Sequence, residues 1–485
     1  MGYRIGSATA LAAFMLASAP FSVAQPAPPP PPPPASGPVT PSPASELAYR
    51  MLAAARAGDD AFQAFAHEAA KQPEAATPGM RRQMASLQPH GLIAATPTHA
   101  EVSVFDPNME SWAILRLDIT ADQPHKITGV GLGPGRPPPG VAGPPRLAPA
   151  ALAAATRARL EKAAAEDRFS GAVLIAHAGQ PVLTAAYGLA DREAKTPATV
   201  DTQFRFGSMG KMFTAVSIMQ LVQAGRIDLT APIGRYLPNY PNRDIAEHVT
   251  VNNLLTHTGG TGDIFGPEFF AHRLEIKTPA DYVTLYGART ALFAPGARNA
   301  YSNYGFMLLG RIVETVSGGS YDDYIAAHIF VPAGMTATGN QPENVRLPKR
   351  ATGYMTGPSG KIYNAADTQP WSGTPAGGGY STVGDLGRFA DALMATRLLD
   401  AAHTKMLTDG GFTGVDGKFW RYDFGAPAGD GRRFYGHNGG APGMNGELRI
   451  FPAGEGHDAY TVAVLANRDP PTATGTANFI TDRLP

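Results

Sequence analysis

Ser208-Met209-Gly210-Lys211, followed by the apolar run MFTAVSIMQLV (212–222), decides how this chain is read. Residues three apart on a helix share a face, so the Lys211 nitrogen can reach the Ser208 oxygen. A serine hydroxyl is a poor nucleophile at neutral pH, and a neutral amine beside it can take its proton. A chain of this size should hold roughly one or two S-x-x-K patterns by chance. This one holds a single example, so its setting has to carry the reading. The apolar residues of helix 209–224 point in nearly every direction, which predicts a buried element with Lys211 one turn inside it. Burial disfavours the ammonium form and lowers the lysine pKa toward that of a useful base. Ser208 falls at the positive end of the helix, where a developing oxyanion is favoured.

Two further clusters lie downstream. Tyr301-Ser302-Asn303 follows the turn Pro295-Gly296. Tyr301 can relay a proton between nucleophile and leaving group, and Asn303 can bond a substrate amide or hold Lys211. His437-Asn438-Gly439-Gly440 precedes a strand expected at Glu447–Phe451. Its glycines allow a substrate backbone close to an edge strand, and the Gly440 N–H can join the Ser208 N–H as oxyanion donors. Each cluster has a plainer reading alone: a capping serine with a snorkelling lysine, a packed loop aromatic, a turn with a surface histidine. The three together read as a covalent-serine acyl-transfer site.

The rest of the 485 residues supplies a frame. Arg4, the apolar stretch Ala8–Ala17 and Ser22-Val23-Ala24 read as a cleavable secretory signal over 1–24, too short to span a bilayer. The expected address is therefore the periplasm or the medium, with no integral membrane segment after signal removal. The chain has no cysteine, which excludes disulfides, a lipidated amino-terminal cysteine and cysteine-ligated metals. Forty basic residues balance forty acidic ones, so nothing favours nucleic acid. Residues 25–43, with Pro28–Pro34 unbroken, read as a polyproline spacer, and the Pro/Gly stretch 131–149 as a second linker. Between them, 44–130 reads as a small α+β module with helices at Glu46–Ala57 and Asp60–Ala70. Its strands are expected at Glu101–Phe105, Ser111–Ile119 and Lys126–Val130, and no catalytic set is visible in it. Residues 150–485 form the main body: an Ala-rich helix, hairpin strands Gly171–His177 and Val182–Tyr187, a helical centre, a second hairpin ending with Tyr460–Ala466, and a closing helix Thr472–Leu484. Strands at both ends predict one antiparallel sheet built from both termini, with a mainly helical lobe inserted.

The order and separation of the three clusters resemble the serine β-lactamase-like superfamily of class C β-lactamases, DD-peptidases, D-aminopeptidases and family VIII esterases. The resemblance covers about 167–467. It extends to Leu254-Leu255-Thr256-His257-Thr258-Gly259-Gly260, similar to the family's loop near the acyl site, and to Gly377-Gly378-Gly379-Tyr380-Ser381-Thr382 with Asp385 and Phe389. It implies a β-lactamase/transpeptidase-like α/β (α+β) fold, with Ser208 as nucleophile, Lys211 as base, Tyr301 as relay, and His437 with Gly439 at the substrate edge. It implies no cofactor and no metal. The implied substrates are small esters, amides or cell-wall-type peptides. Two departures matter: His437 stands where many β-lactamases have lysine, and Asn438 where threonine or serine is common. Histidine is a weaker, pH-dependent anchor for a substrate carboxylate, which favours esterase or D-aminopeptidase/carboxypeptidase activity over efficient β-lactam turnover. The alternative class is a non-catalytic penicillin-recognising protein that binds cell-wall peptides. No G-x-S-x-G elbow surrounds Ser208 or Ser381, and His67-Glu68 lacks the second histidine of a zinc motif.

Overall fold

The computed structural model describes residues 39–485 apart from 74, 75, 139, 358, 416, 428–431 and 455. The signal expected over 1–24 and the first part of the spacer lie outside the described residues. The spacer ends one residue earlier than expected: Ser42 caps helix α1 (Pro43–Ala57) through a capping box, and Pro43 is its first residue. Proline there needs no N–H and already has a helical φ, so it belongs to the helix rather than the linker. Gly58 (φ +121°) breaks the chain before α2 (Asp59–Ala69).

Two elements escape the sequence pattern, α3 (Pro78–Ser86) and β1 (Gln88–Ala95). Only Met84 of α3 is buried, and β1 carries Pro89 and Gly91 with no buried alternation, so neither shows an apolar period. Strands β2 (His99–Asp106), β3 (Ser111–Ile119) and β4 (Ile127–Pro134) complete an antiparallel meander in the order β1-β2-β3-β4. Leu47, Met51, Leu52, Phe62 and Phe65 close over Val102, Val104, Leu115 and Leu117. The second linker is shorter than expected, since 131–134 pair with 113–116 as part of β4. Gly131, Gly133 and Pro134 read as linker residues, yet an edge strand tolerates all three.

In the main body, α4 (Pro149–Ala165) precedes the hairpin β5 (Gly171–His177) and β6 (Gln180–Tyr187). The inserted helices include α5 (Lys211–Gln223), α6 (Asn303–Ser317) and α7 (Val383–Met394). Then come β7 (Gly425–Pro427), β8 (Arg433–Ala441), β9 (Met444–Phe451), β10 (Tyr460–Ala466) and α8 (Thr472–Thr481). The sheet runs β7-β8-β9-β10-β5-β6, all antiparallel, so strands from both ends of the body meet where β10 pairs with β5. That is the architecture expected from the sequence. Its central strands are apolar on both faces because both are covered. Ala172, Leu174, Leu448, Ala463 and Leu465 join the core of the helical lobe, while Val173, Ile175, Val462 and Val464 pack under α4 and α8.

Candidate active site

Ser208 lies not in α5 itself but in a 3-10 turn, Gly207–Gly210, that feeds into it. A 3-10 turn has three residues per turn, so residues i and i+3 eclipse; Ser208 and Lys211 are placed one above the other. The turn is fixed by backbone packing on both sides. Gly378 N–H bonds the Gly207 carbonyl at 3.0 Å, and a Cβ on Gly377 would lie 2.1 Å from that same oxygen. From the sheet side, a Cβ on Gly439 would lie 1.9 Å from the Phe206 carbonyl and 2.8 Å from the Ser208 nitrogen. These glycines bring β8 and the 374–379 segment against the Ser208 turn, which no side chain would permit.

Lys211 is 0% exposed. Its amine donates to Asn303 Oδ1 and to the Ala376 carbonyl, each at 2.7 Å. A neutral amine has two N–H bonds and one lone pair, so these acceptors use both donors and leave the lone pair for a third partner. Burial pulls the Lys211 pKa down to about 7, against smaller opposing effects of Asp423 and Asp263. The Tyr301 ring centroid stands 4.7 Å from the amine.

Tyr301 immediately precedes the α6 cap, where the Ser302 hydroxyl accepts from Gly305 N–H at 2.8 Å. Burial pushes the Tyr301 pKa well above the usual phenol value, while the neighbouring Ser208 side chain acts the other way. Its buried hydroxyl has no hydrogen-bond partner of ordinary geometry. A neutral phenol with both donor and acceptor capacity therefore waits beside Ser208.

The face of Tyr301 is covered by His257, with ring centroids 4.5 Å apart. His257 adopts φ +56°, an uncommon conformation for a residue with a side chain. Its Nδ1 accepts from Ser302 N–H at 3.1 Å and its Nε2 meets Asp423 Oδ2 at 2.8 Å, so the ring is the neutral Nε2–H tautomer. His437 Nε2 meets the same Asp423 oxygen at 2.8 Å, and its Nδ1 faces the Asn438 carbonyl. Burial opposes the Asp423 charge, but His437 and His257 hold its pKa well below the carboxylate range.

His437 thus departs from the expected place. It is 4% exposed and lies outside the lining of the cleft, so it is not at the substrate edge. The two-residue period of β8 is the reason: His437 shares a face with Gly439, and that face is filled by the Phe206–Ser208 turn and the lobe beneath it. Gly440 falls on the other phase and does line the cleft, together with Ser208, Tyr301 and Asn303. The sequence reading missed Asp423, Asp263 and the Ala376 carbonyl. Neither aspartate carries a motif, and a main-chain acceptor has no signature in composition.

The cleft has a volume of roughly 390 Å³ and walls that include Ile264, Phe265, Phe269, Tyr282 and Met444. It is mostly apolar, with polar groups converging on Ser208, as small-molecule sites tend to be.

An antiparallel sheet carrying a helical lobe, with a serine and a buried lysine at their junction, defines a class of protein. Residues 156–484 match the family model described as Beta-lactamase, and the chain belongs to that family. A Bacillus subtilis protein named as a penicillin-binding protein, PbpX, is 33% identical over 248 residues, covering 50% of this chain and 60% of that one. Esterase EstB of Burkholderia gladioli is 34% identical over 216 residues, 41% of this chain and 55% of the esterase. The chain thus spans less than two thirds of the length of these curated relatives. A D-stereospecific amidohydrolase from Streptomyces superposes with a TM-score of 0.56 at 27% identity, covering 68% of this chain and 98% of that one.

Proposed function

We propose that this chain is an exported serine hydrolase that cleaves a small ester or amide through a covalent acyl-enzyme. The observation that carries the reading is the Lys211 amine: wholly buried, with its pKa brought to about 7 and both neutral N–H donors engaged. A pseudoenzyme that only binds peptides has no use for a desolvated amine beside a cleft serine.

In the first step Ser208 Oγ bonds to the substrate carbonyl carbon while its proton passes to Lys211 Nζ. The oxyanion is held by the Ser208 and Gly440 amides. The bond to the leaving group breaks, and Tyr301 passes the proton from Lys211 to the departing oxygen or nitrogen. A water then gives its proton to Lys211 and its oxygen to the acyl carbon, and Ser208 Oγ recovers the proton as the acid leaves. Asn303 holds the amine, and Gly439 lets the strand approach. His437 and Asp423 position Tyr301 through His257 rather than touching substrate.

Short esters and amino-acid amides or peptides, cell-wall-type peptides included, fit this site better than β-lactams. His437, the residue in the place of the usual carboxylate-binding lysine, is turned away from the cleft. Likeness to an esterase and to a D-stereospecific amidohydrolase supports the same classes. Export rests on Arg4, the apolar stretch and the small-x-small site Ser22-Val23-Ala24 before Gln25. Among the described residues no helix is long and apolar enough to cross a membrane.

The test is Ser208→Ala, assayed on short nitrophenyl esters, D-alanyl peptides and a chromogenic cephalosporin, with a fluorophosphonate as covalent probe. Turnover and labelling are both expected to vanish. Labelling that survives the substitution places the nucleophile elsewhere. Mass analysis of the mature chain from the periplasmic fraction should show a start at Gln25; a full-length cytoplasmic product contradicts export.

A further inference from the structure

The cleft beside Ser208 is lined by one carboxylate, Asp263, and by no lysine, arginine or histidine among the described residues. Asp263 is half-buried on the wall formed by Ile264, Phe265 and Phe269. Its oxygens accept from Ile264 N–H at 2.7 Å, Asn303 N–H at 3.2 Å and Asn303 Nδ2 at 3.3 Å. These bonds fix the carboxylate without neutralising it. The Arg289 guanidinium bonds the Asp263 main-chain carbonyl at 3.0 Å and pairs its charge with Glu268.

A carboxylate in an apolar cleft keeps a strong field, because low-dielectric walls screen it little. Among the described residues no cationic side chain lines the cleft, and the buried Lys211 amine is linked to Asp263 only through Asn303, which bonds both. The group that completes the carboxylate is an ammonium brought by the ligand. A ligand carboxylate in the same place meets like charge and no base.

We propose that Asp263 is a specificity-determining residue that binds the free ammonium of an amino-acid-type ester or amide positioned for attack by Ser208. This rests on the acyl-transfer reading above and names its substrate class: unblocked aminoacyl esters and amides, in preference to N-acylated or carboxylate-bearing ones. Asp263 also reaches Asn303, and through it Lys211, so a purely structural role would lower activity on every substrate alike.

The experiment compares D-alanine p-nitroanilide with N-acetyl-D-alanine p-nitroanilide, using p-nitrophenyl acetate as an uncharged reference. The native enzyme is expected to favour the free amine by at least about tenfold in kcat/KM, mostly through KM, as a charge pair of ordinary strength gives. Asp263→Asn should bring the ratio close to one, and Asp263→Glu should keep part of it. A native ratio at or below one, or an Asp263→Asn ratio equal to the native one, overturns the proposal while leaving ester hydrolysis intact. In case neither anilide turns over, the same pair as D-alaninamide and N-acetyl-D-alaninamide is titrated calorimetrically into Ser208→Ala. Tighter binding of the free amine supports the assignment; equal or reversed affinities reject it. Failure of the acyl-transfer reading would show separately, as a silent acetate ester and no labelling of Ser208.

Discussion

Lys211 gains its chemistry from what surrounds it rather than from its own side chain. In water its amine would be protonated at neutral pH; inside the lobe, with two acceptors in reach, the neutral form competes. Lys211→Met, which keeps much of the volume and removes the base, should cost about 10²–10⁴-fold in kcat/KM, the range of general acid–base help. A loss below tenfold contradicts the assignment. Tyr301 is a neutral phenol because burial holds its pKa far above neutrality. Tyr301→Phe is therefore expected to lower kcat by about 10² or more while leaving KM nearly unchanged; a change confined to KM would make Tyr301 a binding wall. At this scale the sequence pointed most clearly to Ser208, Lys211, Tyr301 and Asn303, which the structure brings together at one cleft. It was least legible for His437. A motif names the residue in that position, whereas strand phase decides which way the ring points.

Elements set the spacing. The 3-10 turn before α5 eclipses serine and lysine, and β8 closes on it only because Gly439 has no side chain. Gly439→Ala is expected to displace the Ser208 turn, because the new methyl meets main-chain atoms that cannot rotate away. The readouts are a lowered Tm and loss of fluorophosphonate labelling. Gly131→Ala in β4, whose Cβ would meet only the Arg116 Cβ at 3.8 Å, should match the native chain in both. Native labelling by Gly439→Ala would mean that the turn is not held from the sheet side. The alternation of β3 and the continuous apolar runs of β5 and β10 made these strands readable to the residue. By contrast, α3 and β1 bury too little, and the end of β4 has the composition of a linker.

Across the whole molecule, the last helix ties the small module to the body. A Cβ on Gly475 of α8 would lie 2.3 Å from Met109 Sδ, and Arg159 of α4 reaches the Met109 carbonyl at 3.4 Å. Beside this contact Asp482 has a buried carboxylate oxygen without a partner, and burial raises its pKa to about 6, partly offset by Arg449 and Arg483. The folded chain therefore holds this proton more tightly than the unfolded one. The stability it contributes is complete below the ordinary value of 3.8 and is lost as pH rises through about 6. Asp482→Asn should raise Tm by a few degrees at about pH 7.5 and flatten the fall that the native chain shows between about pH 4 and about pH 6. The same Tm difference between the two proteins at about pH 4 and at about pH 7.5 would contradict this. None of this was visible in the sequence, where 44–130 and the closing helix read as separate pieces.

The measurement that bears most directly on the account is the rate at which a fluorophosphonate labels Ser208 from about pH 5 to about pH 9, a range that brackets neutral titrations. If a buried, deprotonated Lys211 activates the serine, labelling should rise with a midpoint near 7 in the native chain and stay low throughout in Lys211→Met. A flat profile, or a Lys211→Met protein labelled as fast as the native one, would show that the amine does not do this work.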